Sequence, residues 1–205
     1  MTWQQQMKLA EKAFEKGEFV IAENCLWEAL KDAELFGSTS IQMVETAERL
    51  AEAMIAQHKT QDAEDLLLRL AELKTQALGP NSRSMADTLM KLAELYYGLA
   101  KYSQAEPFAL RSLRIYESIY GREHEESAKI GANVAFIFHA AGKFPQAEEI
   151  YKRLLDFRKT LPHAENDPEI PILLRSYASL LQATDRNDEA EKMVQSADQL
   201  ASRSQ

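Results

Sequence analysis

Cysteine occurs once in the 205 residues, at Cys25, so no disulfide within the chain can staple the fold. A lone thiol reads as a small buried hydrophobe in a reducing compartment. Glycine (7) and proline (6) are scarce, which leaves little room for collagen-like or low-complexity tracts. Positive charge is in deficit: 24 Lys and Arg stand against 32 Asp and Glu, a formal net charge of −8. That balance argues against general nucleic-acid binding, which needs a basic footprint on phosphate. No stretch approaches the ~18–20 consecutive apolar residues of a membrane span. Residues 1–18 hold no apolar run with a basic start and a cleavage site, as a secretory leader would. The expectation is a cytoplasmic chain.

Catalytic signatures are missing too. His58, His124, His139 and His163 are scattered, without the His-x-x-x-His or Cys-x-x-Cys spacing of a metal site. There is no glycine-rich phosphate loop and no nucleophile elbow. His124 among Glu123, Glu125 and Glu126, and the pair Glu148-Glu149, read as solvated helix-terminus features rather than acid–base machinery. The chain therefore reads as non-enzymatic, with no cofactor and no metal.

What the chain does have is repetition. Leu89, Leu92, Ala93 and Tyr96, followed by Tyr102 and Ala105, return forty-two residues later without a gap as Gly131, Val134, Ala135, Phe138, Phe144 and Ala147. Gly37, Gly79 and Gly121 share that period, and Ala22, Ala63, Ala105, Ala147 and Ala190 are spaced by 41, 42, 42 and 43. A period of this length sets the architecture before any local propensity does. Apolar residues three and four apart, as in Phe19, Ala22, Leu26, Ala29, Leu30 and Ala33, predict amphipathic helices. These helices break at Gly17, at Gly37 (suited to a left-handed C-cap), near Gln57-His58 and at Gly79-Pro80. Ser38, Ser40 and Thr60 are predicted N-caps, Ser103 and Glu106 have capping-box spacing, and Asp167-Pro168 reads as an N-cap followed by proline. There is no β alternation. The expected organisation is one domain over 1–205, with units at 2–37, 38–79, 80–121, 122–163 and 164–203.

Small residues recur where two helices of a hairpin must approach closely: Ala10, Ala51, Ala93, Ala135 and Ala178 on first helices, and the five alanines above on second helices. Tyr96, Phe138 and Leu181 fill the space one turn on, so that ridges enter grooves. The pattern Leu-Ala-x-x-Tyr, a turn, then Tyr-x-x-Ala is similar to the tetratricopeptide repeat. That repeat is normally ~34 residues, so the forty-two here add roughly one turn per helix. Ala77-Leu78-Gly79-Pro80, Ala105-Glu106-Pro107 and Asn133-Val134-Ala135 resemble the long form found in kinesin light chains and their bacterial relatives. The resemblance implies an all-α fold, a right-handed α-solenoid of about five antiparallel helix hairpins in a TPR-like superhelix. It also implies a role in protein binding. The chain departs from the subclass in keeping only Asn133, with Met90-Lys91 in the preceding unit. Met7 and Glu11 occupy the places where some relatives clamp a C-terminal carboxylate, which disfavours chaperone-tail binding.

In such arrays the first helices line the concave side. The inward positions are then Met7, Glu11, Phe14, Glu48, Glu52, Ile55, Met90, Glu94, Tyr97, Ala132, Phe136, His139, Arg175, Ser179 and Gln182. From these, Glu48, Glu52, Met90, Glu94, Tyr97, Phe136, His139 and Arg175 form the candidate peptide groove, with Tyr97, Phe136 and His139 beside Glu94 as its sharpest members. The bland alternative is that several of them cover the neighbouring repeat as core. Residues 1–57 carry 5 basic and 10 acidic side chains, whereas 101–160 carry 10 and 8. The expected ligand is a protein or peptide with apolar anchors and some basic residues. Lys101, Arg111, Arg114, Lys152, Arg153, Arg158 and Lys159 on second helices are either a solvated, ion-paired face or a dock for an acidic partner. The rival function is a structural subunit of a multiprotein or homo-oligomeric complex, which calls for an exposed apolar stripe over 193–200. The packing frame is testable directly. Ala135→Trp should overpack its hairpin and lower stability by about 1–3 kcal/mol or more, and an unchanged melting temperature contradicts the frame.

Overall fold

The computed structural model describes residues 1–37, 39–162 and 164–203, excepting the Arg203 side chain, so the Ser38 cap and His163 lie outside the described residues. Continuous 3.6-residue periodicity becomes ten α-helices among the described residues. They are α1 (Trp3–Glu15), α2 (Phe19–Glu34), α3 (Ile41–Ala56), α4 (Thr60–Leu78), α5 (Arg83–Gly98), α6 (Tyr102–Tyr120), α7 (Glu125–Ala140), α8 (Phe144–Lys159), α9 (Glu169–Ala183) and α10 (Asn187–Arg203). The chain divides into two compact units, Met1–Leu99 and Ala100–Gln205. In the first, α1 to α5 pack in sequence order, each helix on the next. In the second, α6 to α10 do the same, and α7 also touches α9. All ten repeat-position alanines are buried, because a methyl group is what a close helix crossing accommodates.

Two kinds of turn alternate. One residue of positive φ stands before each second helix: Gly17 (70°), His58 (59°), Ala100 (55°), Gly142 (72°) and Asp185 (58°). Glycine fills only two of these places, so composition did not mark them. After α4 and α6 the chain turns at Gly79 (φ 89°, ψ 157°) and Gly121 (φ 96°, ψ 160°). That extended, positive-φ region is essentially closed to any residue with a Cβ. Gly37 (φ 108°) likewise lies beyond the left-handed helical range expected of it.

The caps follow prediction in part. Ser40 accepts the Met43 amide N–H (3.2 Å) as predicted, and Ser82, which was not among the predicted caps, accepts that of Met85 (3.3 Å). Thr60 and Ser103 do not cap, since α4 begins at Thr60 itself and α6 at Tyr102, behind Lys59 and Lys101, neither of which forms a side-chain cap. Asp167 works one residue earlier than expected, accepting the Glu169 amide at 2.9 Å while Pro168 takes the cap position.

The displaced helix starts serve an interaction between hairpins. The residue after each buried second-helix alanine is a glutamate: Glu23, Glu64, Glu106, Glu148 and Glu191. Glu23 accepts from Gln57 (2.7 Å) and Lys59 (2.5 Å), and Glu64 from the Tyr96 hydroxyl (2.6 Å). Glu106 holds Lys143 (2.7 and 2.6 Å). Glu148 accepts from the Tyr177 hydroxyl (2.7 Å) and Arg186 (2.9 Å), and pairs with Lys152 (2.7 Å). Lys59, Lys143 and Arg186 each stand directly before a second helix. A carboxylate on one hairpin thus grips the turn or first helix of the next. These charge-assisted contacts are about twice as strong as neutral ones.

Burial by itself would raise the Glu148 carboxyl, but hydrogen bonds from Lys152, Tyr177 and Arg186 outweigh it and bring it down to about 2. A carboxylate depressed by folding stabilises the native state fully above its unfolded value, and that stability drains away as pH falls through the folded one. Between pH ~4.5 and ~2 the wild type should lose on the order of 1–3 kcal/mol that Glu148→Gln does not lose. Parallel acid-unfolding profiles for the two proteins contradict this. At the turn, Ala100→Gly should stabilise the chain by about 0.5–1 kcal/mol through relief of left-handed strain. Chemical denaturation with an unchanged or lower midpoint contradicts it.

Candidate functional site

Elements α3 and α5 carry the acidic half of the predicted groove, and the fold has already used most of its charge. Glu48 on α3 pairs with Lys74 of α4. The Lys74 side chain is completely buried, and its ammonium also donates to the Ser84 carbonyl (2.7 Å) and the Thr88 hydroxyl (2.6 Å). Burial pushes the Lys74 ammonium below its usual range, with Glu48 opposing. An ammonium this deep needs every donor matched, and three acceptors do so. Glu52 is held by Lys91 of α5 and by Arg49 at 3.1 Å. Burial would raise the Glu52 carboxyl, but the hydrogen bonds from Lys91 and Arg49 prevail and lower it. Arg49 also lies over the Phe14 ring, 5.7 Å from its centroid. Glu48 and Glu52 are thus ties between helices. Met90, only 4% exposed, belongs to the core, which corrects its assignment as a contact residue.

Glu94 and Tyr97 are placed differently. A recess of about 380 Å³ lies between α3 and α5, with Ile55, Leu95 and Leu99 as apolar lining and Lys91, Glu94 and His58 as polar lining. Glu94 is exposed as a residue, yet desolvation in the recess raises its carboxyl, with Lys91 pulling the other way. Tyr97, one turn from Glu94 on α5, is 42% exposed. The unit therefore offers an apolar hollow, an acidic group and an open aromatic side chain together.

In the second unit Phe136 and His139 lie half-buried on α7. Phe136 meets the Tyr151 ring edge-on at 6.1 Å, and His139 meets Phe144 in the same way at 5.9 Å. Burial lowers the His139 imidazole, which favours its neutral form. Arg175 on α9 is exposed and pairs with Asp198 at 2.9 Å. Four of the basic residues on the second helices are tied locally: Lys152 to Glu148 (2.7 Å), Arg153 to Glu117 (2.7 Å), Lys159 to Asp156 (3.7 Å), and the buried Arg158 to Asp167 (2.9 Å).

His124 caps α7, accepting the Glu126 amide at 3.1 Å, and stacks on Tyr120 at 5.0 Å. Cys25 is a half-buried free thiol. Among the described residues no cluster of three or more His, Cys, Asp and Glu is placed to hold a metal, and no helix is long and apolar enough to cross a membrane. Sequence reasoning missed the inter-hairpin glutamates, although the signal, Ala-Glu at every repeat, was present.

The tetratricopeptide repeat family model matches residues 42–118 and 84–160, together more than half of the chain. No curated protein sequence matches significantly. Among solved structures, a kinesin-light-chain-type protein of Podosopora anserina with nearly identical TPR-like repeats is similar at a TM-score of 0.86. It shares 19% identity over 98% of this chain and 94% of that one. BtubC (BKLC) from P. vanneervenii has a TM-score of 0.85 at 19% identity, over 98% of this chain and 80% of its own. MamA from Desulfovibrio magneticus RS-1 is similar at 0.75 with 13% identity, over 99% and 96%. At these identities the likeness concerns the fold, an all-α helical repeat.

Proposed function

The chain belongs to the tetratricopeptide repeat family, and from that premise we propose that it is a non-enzymatic scaffold holding a peptide or protein segment against its first helices. Arrays of this kind present a long pre-formed surface, so little conformational entropy is lost on binding. The observation that carries the reading is the α3–α5 recess, where Ile55, Leu95 and Leu99 form an apolar hollow beside Glu94, with exposed Tyr97 on the same helix. An apolar anchor would enter the hollow, and a basic group would approach Glu94. Phe136 and His139 on α7 supply aromatic surface in the second unit. We take the repeat frame, with spacings of 41, 42, 42 and 43 residues, to make 1–205 one repeat domain.

The rival reading, a subunit built into an assembly, needs an apolar stripe on α10. Met193, Val194 and Leu200 are only partly exposed, and α10 adds none of the large exposed apolar side chains among the described residues. That reading draws no support from this helix.

Affinity capture from the native host, followed by titration with the captured partner, tests the scaffold reading. Tyr97→Ala/Phe136→Ala should weaken binding ~10-fold or more, with modest salt dependence. Equal affinity for the double variant and wild type contradicts the groove. Steep loss of binding with salt moves the contact to the basic faces of the second helices.

A further inference from the structure

We propose that the edge where α2 passes into α3 is a second docking surface, and that its occupant is a basic amphipathic helix of a partner protein. Leu35 and Ile41 are 86% and 74% exposed, and Phe36 and Leu78 stand exposed beside them. Ile41 is the first residue of α3; the corresponding first residues of α5 and α7 are Arg83 and Glu125. One and two periods further on, charge thus stands where α3 has an isoleucine, whereas α1 begins with the apolar Trp3. Ile41 and Leu78 share one recess, and exposed apolar side chains brought together in this way mark interaction surfaces.

The edge is shaped as well as apolar. Ile41, Val44, Ala77 and Leu78 line a recess of about 360 Å³, with Glu45 and Glu48 at its rim. On the α2 side of the edge, the Phe36 ring meets Trp3 edge-on at 6.4 Å. The Trp3 indole N–H in turn donates to the fully buried Thr46 hydroxyl at 2.8 Å. A surface ordered before binding loses less entropy when it is covered.

Charge selects the occupant. Glu34 beside Leu35 and Glu45 one turn from Ile41 are exposed, and neither has an ion-pair partner among the described residues. Glu48, by contrast, is already matched by Lys74. Residues 1–57 carry a net charge of −5, from 5 basic and 10 acidic side chains. An acidic rim repels anionic lipid headgroups and nucleic acid. It also opposes a twofold pairing of copies, which would set the same acidic edge against itself. A helix with one apolar stripe flanked by Lys or Arg satisfies both the recess and the rim.

The probe is a synthetic helical peptide of Leu and Lys in amphipathic order, titrated calorimetrically into the full chain, with a Leu/Glu peptide of the same pattern as control. The Leu/Lys peptide should bind, and the Leu/Glu peptide should bind ~10-fold more weakly or not at all. Leu35→Ser/Ile41→Ser should lower affinity for the Leu/Lys peptide ~10-fold or more without moving the thermal midpoint, because both side chains stand in solvent. Tyr97→Ala/Phe136→Ala should leave this binding intact, which separates the edge from the groove. Unchanged affinity in the edge variant, no binding of the Leu/Lys peptide, or equal binding of the two peptides overturns the proposal. So does a free chain that runs as a dimer by light scattering and becomes monomeric in the edge variant, since a second copy would then be the occupant.

Discussion

The carboxylate that follows the buried alanine of a second helix is the interaction on which this structure depends. Alanine lets two helices close on each other, but it contributes little apolar area and does not fix how one hairpin meets the next. Glu23, Glu64, Glu106 and Glu148 supply that specification, each reaching a cation or hydroxyl carried by the following hairpin. The contact is partly sheltered and charge-assisted, so it outlasts the screening that makes exposed pairs weak. Its demands are visible elsewhere. Lys59, Lys143 and Arg186 occupy helix-start positions where a serine or threonine would make a better cap. The local optimum yields to the contact between hairpins.

The same economy governs the first helices. A row of glutamates on α3 looks in sequence like an acidic binding surface, yet Glu48 neutralises buried Lys74 and Glu52 is shared by Lys91 and Arg49. Burying an ammonium is costly unless a carboxylate and further acceptors accompany it, so these groups are committed to stability before any partner arrives. Surface open to recognition remains where the fold has left apolar area exposed. One such place is the recess beside Glu94 and Tyr97; another is the edge carrying Leu35 and Ile41.

Much of this was legible from the chain. The period located the helices to within a few residues, and the alanines named the close crossings. Glycines at 79 and 121 marked turns that only glycine can make. The breaks near His58 and Asp185 were legible as turns, but their positive φ was not, and nothing in the residue types announced the turn at Ala100. Met90 was placed among contact residues because its register allowed it, whereas its 4% exposure makes it core. Arg158 looked like part of a solvated face; it is buried against Asp167, a partner supplied by the long loop after α8.

The sequence by itself determined the helices, their pairing into hairpins, the repeat family and the absence of a surplus of positive charge. These follow from periodicity and composition, which are properties of neighbours along the chain. Only the tertiary structure decided which charges are free. Whether Glu52 is a ligand contact or a structural tie depends on Lys91, thirty-nine residues away, and the strength of that pairing depends on how far water is excluded around it. Distance and dielectric are set by packing, and no reading of residue order supplies them.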